Sequence, residues 1–93
     1  PTGKRHLGIA NHLAAFPNPA RNNVTFHWNL PDGLEYGTIL VSDLQGKTIK
    51  TMEITGQSGK REWDTSNLGR GIYLYQLRLS DGTTETVKLT IIK

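Results

Sequence analysis

The chain has 93 residues, 35% of them hydrophobic and 20% charged, which is typical of one small globular domain rather than a disordered segment. Its net charge of +3 comes from cations spread along the sequence, so no dense basic face for nucleic acid is expected. The absence of Cys excludes disulfides and thiolate metal sites, and no apolar stretch approaches the ~20 residues that a membrane helix needs.

Residues 1–12 are polar, with few apolar side chains, and predict a flexible linker ahead of a folded domain at residues 13–93. The sequence has no initiating Met, and its first residues lack the apolar segment of an export signal. We therefore expect the chain to be a piece of a longer protein.

The next motif is Phe16-Pro17-Asn18-Pro19. Proline fixes φ and keeps the preceding residue out of the helical region, so two prolines around Asn18 predict a rigid corner. We expect Phe16 to anchor this corner in the core. A simple turn at the end of a strand is the alternative interpretation.

After this corner the hydrophobic pattern has a period of two, which predicts strands and no long helix. Alternation marks strands at residues 24–28, 39–42, 61–63, 72–79 and 87–91, and the stretch 47–54 alternates with one slip that a bulge would repair. About seven strands at this spacing predict an all-β, antiparallel sandwich, because two sheets can each bury one face against the other.

Turn signals separate these strands. We expect turns at residues 31–33 and 44–47, a loop at 56–59, and a single capped helical turn at 64–68. Asp81-Gly82 predicts a type I′ hairpin turn, in which both central residues have positive φ.

The sequence Leu68-Gly69-Arg70-Gly71-Ile72-Tyr73 predicts a tight reversal that leads into a strand, with Leu68 closing one end of the sandwich. It is not a phosphate loop, because the spacing and the Lys-Ser/Thr pair of that motif are absent.

No set of residues indicates catalysis. The carboxylates fall at turns or on predicted solvent faces, the three His have no metal-ligand spacing, and no Ser stands with a His and an acid in a recognisable arrangement. We expect neither an enzyme nor a cofactor or metal site.

The aromatic residues leave one alternative open. Most are in phase on strands and are expected in the core, but Tyr36 lies in a predicted loop and is the best candidate for an exposed ring. Exposed aromatic rings are typical of an adhesion or carbohydrate-binding β-sandwich of a secreted protein.

The last strand, residues 84–93, has Val87, Leu89 and Ile91 on one face and runs to the final residue, Lys93. Either it simply closes the sandwich, or it is an exposed edge whose N–H and C=O groups other proteins read.

Together these motifs resemble the type A C-terminal sorting domain of bacterial type IX secretion over residues 13–93. The resemblance is carried by the Phe-Pro-Asn-Pro corner, by residues 41–47 with Gly46-Lys47, by the Leu-x-x-Gly-x-Tyr element at residues 68–73, and by Thr86-Val87-Lys88 with the closing Ile92-Lys93.

The resemblance implies an immunoglobulin-like sandwich that directs a covalently linked cargo through the outer-membrane translocon and is then removed by a cell-surface sortase. It implies transit through the periplasm and a final location at the outer membrane, on the cell surface or outside the cell. We expect the recognised surface to consist of Asp81, Gly82, Thr86, Val87, Lys88, Ile92 and Lys93. We expect the shape to be held by Phe16, Pro17, Asn18, Pro19, Gly46, Lys47, Leu68, Gly69, Gly71 and Tyr73.

Overall fold

The computed structural model describes residues 12–93, so the predicted linker lies outside the described residues except for His12. The described residues form seven strands: β1 (Leu13–Phe16), β2 (Asn23–Asn29), β3 (Tyr36–Asp43), β4 (Thr48–Thr55), β5 (Ser58–Asp64), β6 (Gly71–Leu79) and β7 (Thr84–Ile91).

The strands form two sheets. One has the order β1-β2-β5 and the other the order β4-β3-β6-β7, and every pair of neighbouring strands is antiparallel. The chain changes sheet between β2 and β3, between β4 and β5, and between β5 and β6. The predicted antiparallel sandwich of about seven strands is confirmed.

The core lies between the sheets and follows the predicted alternation. Val24, Phe26 and Trp28 of β2 are buried, and the ring of Phe26 meets the ring of Tyr75 edge to face, with centroids 5.3 Å apart. The indole N–H of Trp28 donates to the carbonyl of Gly56 at 3.1 Å, so this large ring is buried with its polar group satisfied.

The predicted slip in β4 is a bulge. Val41 pairs with Lys50 and the next residue of β3, Ser42, pairs with Thr48, so Ile49 is the extra residue. The bulge restores the alternation of inward and outward side chains along β4, so that Met52 and Ile54 both face the core.

The type I′ turn predicted at Asp81-Gly82 is wrong. Gly82 has φ 93°, but no residue other than Gly has positive φ between residues 12 and 93, so Asp81 does not. Gly82 N–H donates to the carbonyl of Leu79 at 3.0 Å, and Leu79 N–H donates to the carbonyl of Thr83 at 2.9 Å. With three residues in the loop, a single glycine supplies the left-handed conformation.

The loop predicted at residues 56–59 is shorter, because Ser58 and Gly59 already belong to β5 and pair with β2. A Cβ atom at Gly59 would lie 2.6 Å from the ring of Trp28. The glycine therefore lets the strand pass over the indole and is not a sign of a loop. The turns at residues 31–33 and 44–47 are present, with Gly33 and Gly46 at φ 87° and 91°.

Candidate recognition surface

Strand β7 is an edge strand of the four-stranded sheet and contains three of the seven residues expected to be recognised, while the other four lie just before or just after it. Alternate residues of an edge strand turn their N–H and C=O groups away from the neighbouring strand. In β7 these are the even-numbered residues, because Thr90 and the following Ile92 make hydrogen bonds on the side away from β6.

The corner segment, residues 17–20, covers the second half of this edge. Ala20 N–H donates to the carbonyl of Thr90, and Ile92 N–H donates to the carbonyl of Ala20, both at 2.8 Å. Ala20 is fully buried and forms a parallel bridge with Ile91. The chain therefore leaves β1 in one sheet and supplies a short added strand to the other.

The side chain of Asn18 extends this cover by one step. Its Nδ2 donates to the carbonyl of Lys88 at 2.9 Å, and its Oδ1 accepts from Thr90 N–H at 3.0 Å. The carboxamide thus does what a backbone peptide group would do in an added strand. Pro17 and Pro19 have no N–H of their own, so the side chain between them supplies the donor.

The expectation that Phe16 anchors the corner in the core is wrong. Leu13 and Ala15 point inward along β1, so the alternation places Phe16 outside, where it is 55% exposed. Its ring meets His27 edge to face at 5.4 Å on the outer surface of the three-stranded sheet. Ala20 is the corner residue that enters the core.

The first half of the β7 edge is not covered by any other part of residues 12–93. By the same alternation, Thr86 N–H and C=O and Lys88 N–H point outward there without a partner in this range. We call these three groups the open edge. Both side chains are exposed, whereas Val87 between them points inward and packs against the core.

The hairpin turn at the start of β7 is exposed and rigidly bonded. Asp81 Oδ1 accepts from Thr83 N–H at 2.9 Å, and this hydrogen bond from the Thr83 backbone is the main reason that the pKa of Asp81 is lowered. The carboxylate therefore stays ionised at neutral pH and, with Gly82, gives the turn a defined shape.

His12, the one described residue of the predicted linker, is bonded to β7. Its N–H donates to Glu85 Oε1 at 3.0 Å, and its ring Nδ1 pairs with the other oxygen of the same carboxylate. The described chain therefore begins beside the first half of β7, close to the open edge.

Lys93 and Ile92 lie at the far end of β7. The ammonium group of Lys93 donates to the carbonyls of Thr65 and Ser66 at 3.2 and 2.8 Å, so it clamps the turn after β5. Ile92 is 38% exposed and lines a surface cleft with Pro17 and Pro19.

The turn that Lys93 holds is the one predicted as a capped helical turn at residues 64–68. It is a single turn without a helix: Leu68 N–H donates to the carbonyl of Thr65 at 2.9 Å, and Asp64 Oδ1 accepts from Ser66 N–H at 2.8 Å. The hydrogen bonds from Ser66 lower the pKa of Asp64.

The element at residues 68–73 holds the start of β6. Leu68 packs against the core, and the hydroxyl of Tyr73 donates to the carbonyl of Gly69 at 2.8 Å. A Tyr near the start of a strand that bonds backward to the chain is a known device of immunoglobulin-like sandwiches.

The Gly46-Lys47 pair lies in the β3–β4 hairpin, where Lys47 N–H donates to Asp43 Oδ1 at 2.9 Å.

Sequence reasoning missed the contacts that join these elements. The cover of β7 by Asn18 and Ala20 and the Lys93 clamp join groups that are far apart in the sequence, whereas the Tyr73 hydrogen bond reaches back only to Gly69. Only the Asn between two prolines carried a local signal, since it is the one polar side chain in a motif whose prolines lack donors.

The described part of the chain has no helix with the length and hydropathy that a membrane span requires. Residues 12–93 also bring no three His, Asp or Glu side chains together in a way that could hold a metal ion.

Comparison with known proteins agrees with this architecture. A family model described as "Secretion system C-terminal sorting domain" matches residues 14–93. The crystal structure of dimeric latent PorU from Porphyromonas gingivalis matches with a TM-score of 0.68 and 24% identity, which shows the shared fold. The match covers 91% of this chain and 10% of the PorU chain. No curated protein sequence matches this chain.

Proposed function

This chain belongs to the family of type IX secretion C-terminal sorting domains, and on that premise we propose that the open edge of β7 is the part of the signal that the secretion machinery reads. The family assigns a sorting role in export to the cell surface or the extracellular space. The observation that carries the proposal is that the corner segment covers one half of the β7 edge, whereas no part of residues 12–93 pairs with the outer side of the other half.

Strand addition at the open edge would give a receptor two kinds of information. Backbone hydrogen bonds to Thr86 and Lys88 provide affinity without depending on the cargo, and the exposed side chains of the same residues provide selectivity. The corner segment supports this role because it limits the open length to the first half of β7, which restricts the registers in which an incoming strand can pair.

The remaining steps of the proposed role follow from the same premise. The cargo precedes the sandwich in the chain, crosses the periplasm with it, and passes the outer-membrane translocon. A sortase then cuts the connection within residues 1–12. The His12–Glu85 pair supports a boundary there, because it ties the last residue of that segment to the sandwich. Recognition and cleavage are carried out by the partners, so the domain itself needs no catalysis.

The test replaces one donor of the open edge. Thr86→Pro removes the outward N–H and leaves the hydrogen bonds to β6 in place, because proline is tolerated where the N–H of an edge strand faces solvent. In a cargo fusion we expect Thr86→Pro to reduce surface delivery at least about ten-fold, the loss that about 1.4 kcal/mol of recognition free energy produces.

Thr51→Pro is the matched control. Thr51 is an exposed Thr on β4, the other edge strand of the same sheet, and its N–H also points outward, since Glu53 two residues on turns its carbonyl to the edge. Surface delivery that falls equally in both variants, or in neither while both remain folded, would contradict a signal read at the open edge.

A further inference from the structure

A shallow depression lies on the outer face of the four-stranded sheet, at the end where β3 begins. It has a volume of about 330 Å³, at the lower end of the range for small-molecule sites. Its polar and aromatic lining residues are Tyr36, Thr38, Glu53, Thr55, Arg78 and Ser80.

The strand register sets the layout of this depression. Thr38 of β3 lies opposite Glu53 on one side and Arg78 on the other, so the two charged residues flank it across about 10 Å, twice the spacing between strands. Tyr36 points to the same face two residues earlier and is 65% exposed. The result is a hydroxyl-bearing floor with a cation on one side, an anion on the other and an aromatic ring at the end.

The two charges are available to a ligand. Within residues 12–93, Glu53 and Arg78 form no ion pair with each other or with a third residue. Arg78 Nε donates to Gln76 Oε1 at 3.0 Å, which orients the guanidinium and leaves its other two nitrogens without a partner in this part of the chain.

The charge pattern selects the chemistry of the ligand. An anionic ligand would be repelled by Glu53 and a cationic one by Arg78, whereas a neutral polyol can donate to the carboxylate and accept from the guanidinium. The exposed Tyr36 ring favours a molecule with one apolar face, because aromatic rings bury such faces and still leave their polar tip in water. A neutral saccharide has both properties.

We propose that this depression is a subsite for a neutral saccharide, in which Tyr36 stacks on the sugar ring while Glu53 and Arg78 hydrogen-bond its hydroxyl groups. The inference goes beyond the sorting role, since the site lies on the face of the sheet and not at the open edge. A shallow site of this size predicts weak binding, with a dissociation constant on the order of 1 mM.

The test is a titration of the 93-residue chain followed by ¹H–¹⁵N NMR. The ligands are the neutral disaccharides cellobiose, maltose and lactose, with glucuronic acid and glucosamine as charged probes. At least one neutral sugar is expected to shift the amide signals of residues 36–38, 53–55 and 78–80, and Tyr36→Ala should weaken that binding at least ten-fold.

Phe16→Ala is the control, because Phe16 is a comparably exposed ring on the opposite sheet. It should leave the dissociation constant unchanged within about two-fold, well under the ten-fold that 1.4 kcal/mol represents. The dispersed amide spectrum of each variant shows whether it is folded.

Two results would overturn the proposal. One is the absence of localised shifts with every neutral sugar. The other is preferential binding of glucuronic acid that strengthens in Glu53→Gln, since that would make Arg78 an anion site and the carboxylate an obstacle.

Discussion

The two edge strands of the four-stranded sheet are protected in different ways. On β4 the protection is local: Ile49 forms a bulge, and the Arg61 guanidinium donates to the outward carbonyl of Glu53 at 2.9 Å. On β7 it comes from the corner segment, which pairs with the second half of the strand. Bulges and covering segments both prevent edge-to-edge pairing, but only the second leaves an open length with a defined start and end.

The difference bears on the proposed function, because edge protection decides where another strand can be added to the sheet. The bulge at Ile49 and the hydrogen bond from Arg61 make the β4 edge unfavourable for pairing with another strand. On β7, the corner segment covers the second half of the strand and leaves Thr86 and Lys88 in regular strand geometry. Under the proposed function, a partner strand would therefore be added at the open edge of β7 and not at β4.

The largest effect is expected from Asn18→Ala, which removes the part of the cover that a side chain provides. Two hydrogen bonds to β7 are lost. Each is worth about 0.5–1.5 kcal/mol, and because both are exposed we take the lower part of that range, so the free energy of unfolding should fall by about 1–2 kcal/mol. Urea unfolding measures this, and hydrogen exchange at Thr90 N–H should become faster in the same variant.

Asn18→Asp and Asn67→Ala complete that experiment. Asp keeps the acceptor for Thr90 but turns a carboxylate toward the carbonyl of Lys88, so it should be at least as unstable as Ala. Asn67 is an exposed Asn in the turn after β5, and its loss should be neutral. An Asp variant as stable as the original chain would show that Asn18 does not act as a peptide substitute.

The two edges also differ in how much of their structure could be predicted from the sequence. The strands were predictable because alternation is local and each strand buries one face, as Phe26 and Leu77 do. The slip at Ile49 was visible for the same reason. The cover of β7 was not, because it joins Asn18 to residues 70 and more positions away, and nothing in a period of two shows which strand will lie beside a corner.

Two errors have the same origin. Phe16 was assigned to the core because it is the large apolar residue of its motif, although the alternation from Leu13 and Ala15 already placed it outside. Gly59 was assigned to a loop because glycine marks loops, although here it makes room for Trp28. In both cases residue type was given more weight than the register. For the candidate recognition surface, the sequence named residues of β7 but did not show the division of that strand into a covered and an open half.

A smaller effect is expected on the opposite edge from Arg61→Ala. The variant frees the carbonyl of Glu53, and because the bond is exposed its loss should lower the free energy of unfolding by about 0.5–1 kcal/mol. The bulge at Ile49 remains, so we expect the protein to stay monomeric in sedimentation experiments at high concentration. Dimers of Arg61→Ala would instead assign the protection of this edge to the side chain alone.

The smallest effect concerns acid stability at the two ends of β7, where Asp81 shapes the turn before the strand and Asp64 the turn that Lys93 clamps after it. Each carboxyl accepts hydrogen bonds when ionised, and its pKa in the folded protein is lowered from the ordinary value of 3.8. The unfolded chain therefore binds these protons first as the pH falls. Each group stabilises the fold above pH 3.8 and loses that contribution as the pH falls through its folded-state pKa.

Replacing each carboxyl by the corresponding amide separates the two ends. Asp64→Asn and Asp81→Asn should each flatten the loss of stability with acid below about pH 4 and leave its shape near neutral pH unchanged. Thermal unfolding followed across that pH range measures the slope. Because both groups are fully exposed, the changes should be small. A variant whose stability falls more steeply with acid than that of the original chain would mean that the hydrogen bonds in the turn do not favour the ionised carboxyl group. If only Asp64→Asn alters the slope, the covered end of β7 is the end whose acid stability depends on its neighbouring turn, and the open end keeps its shape through Gly82 and the backbone.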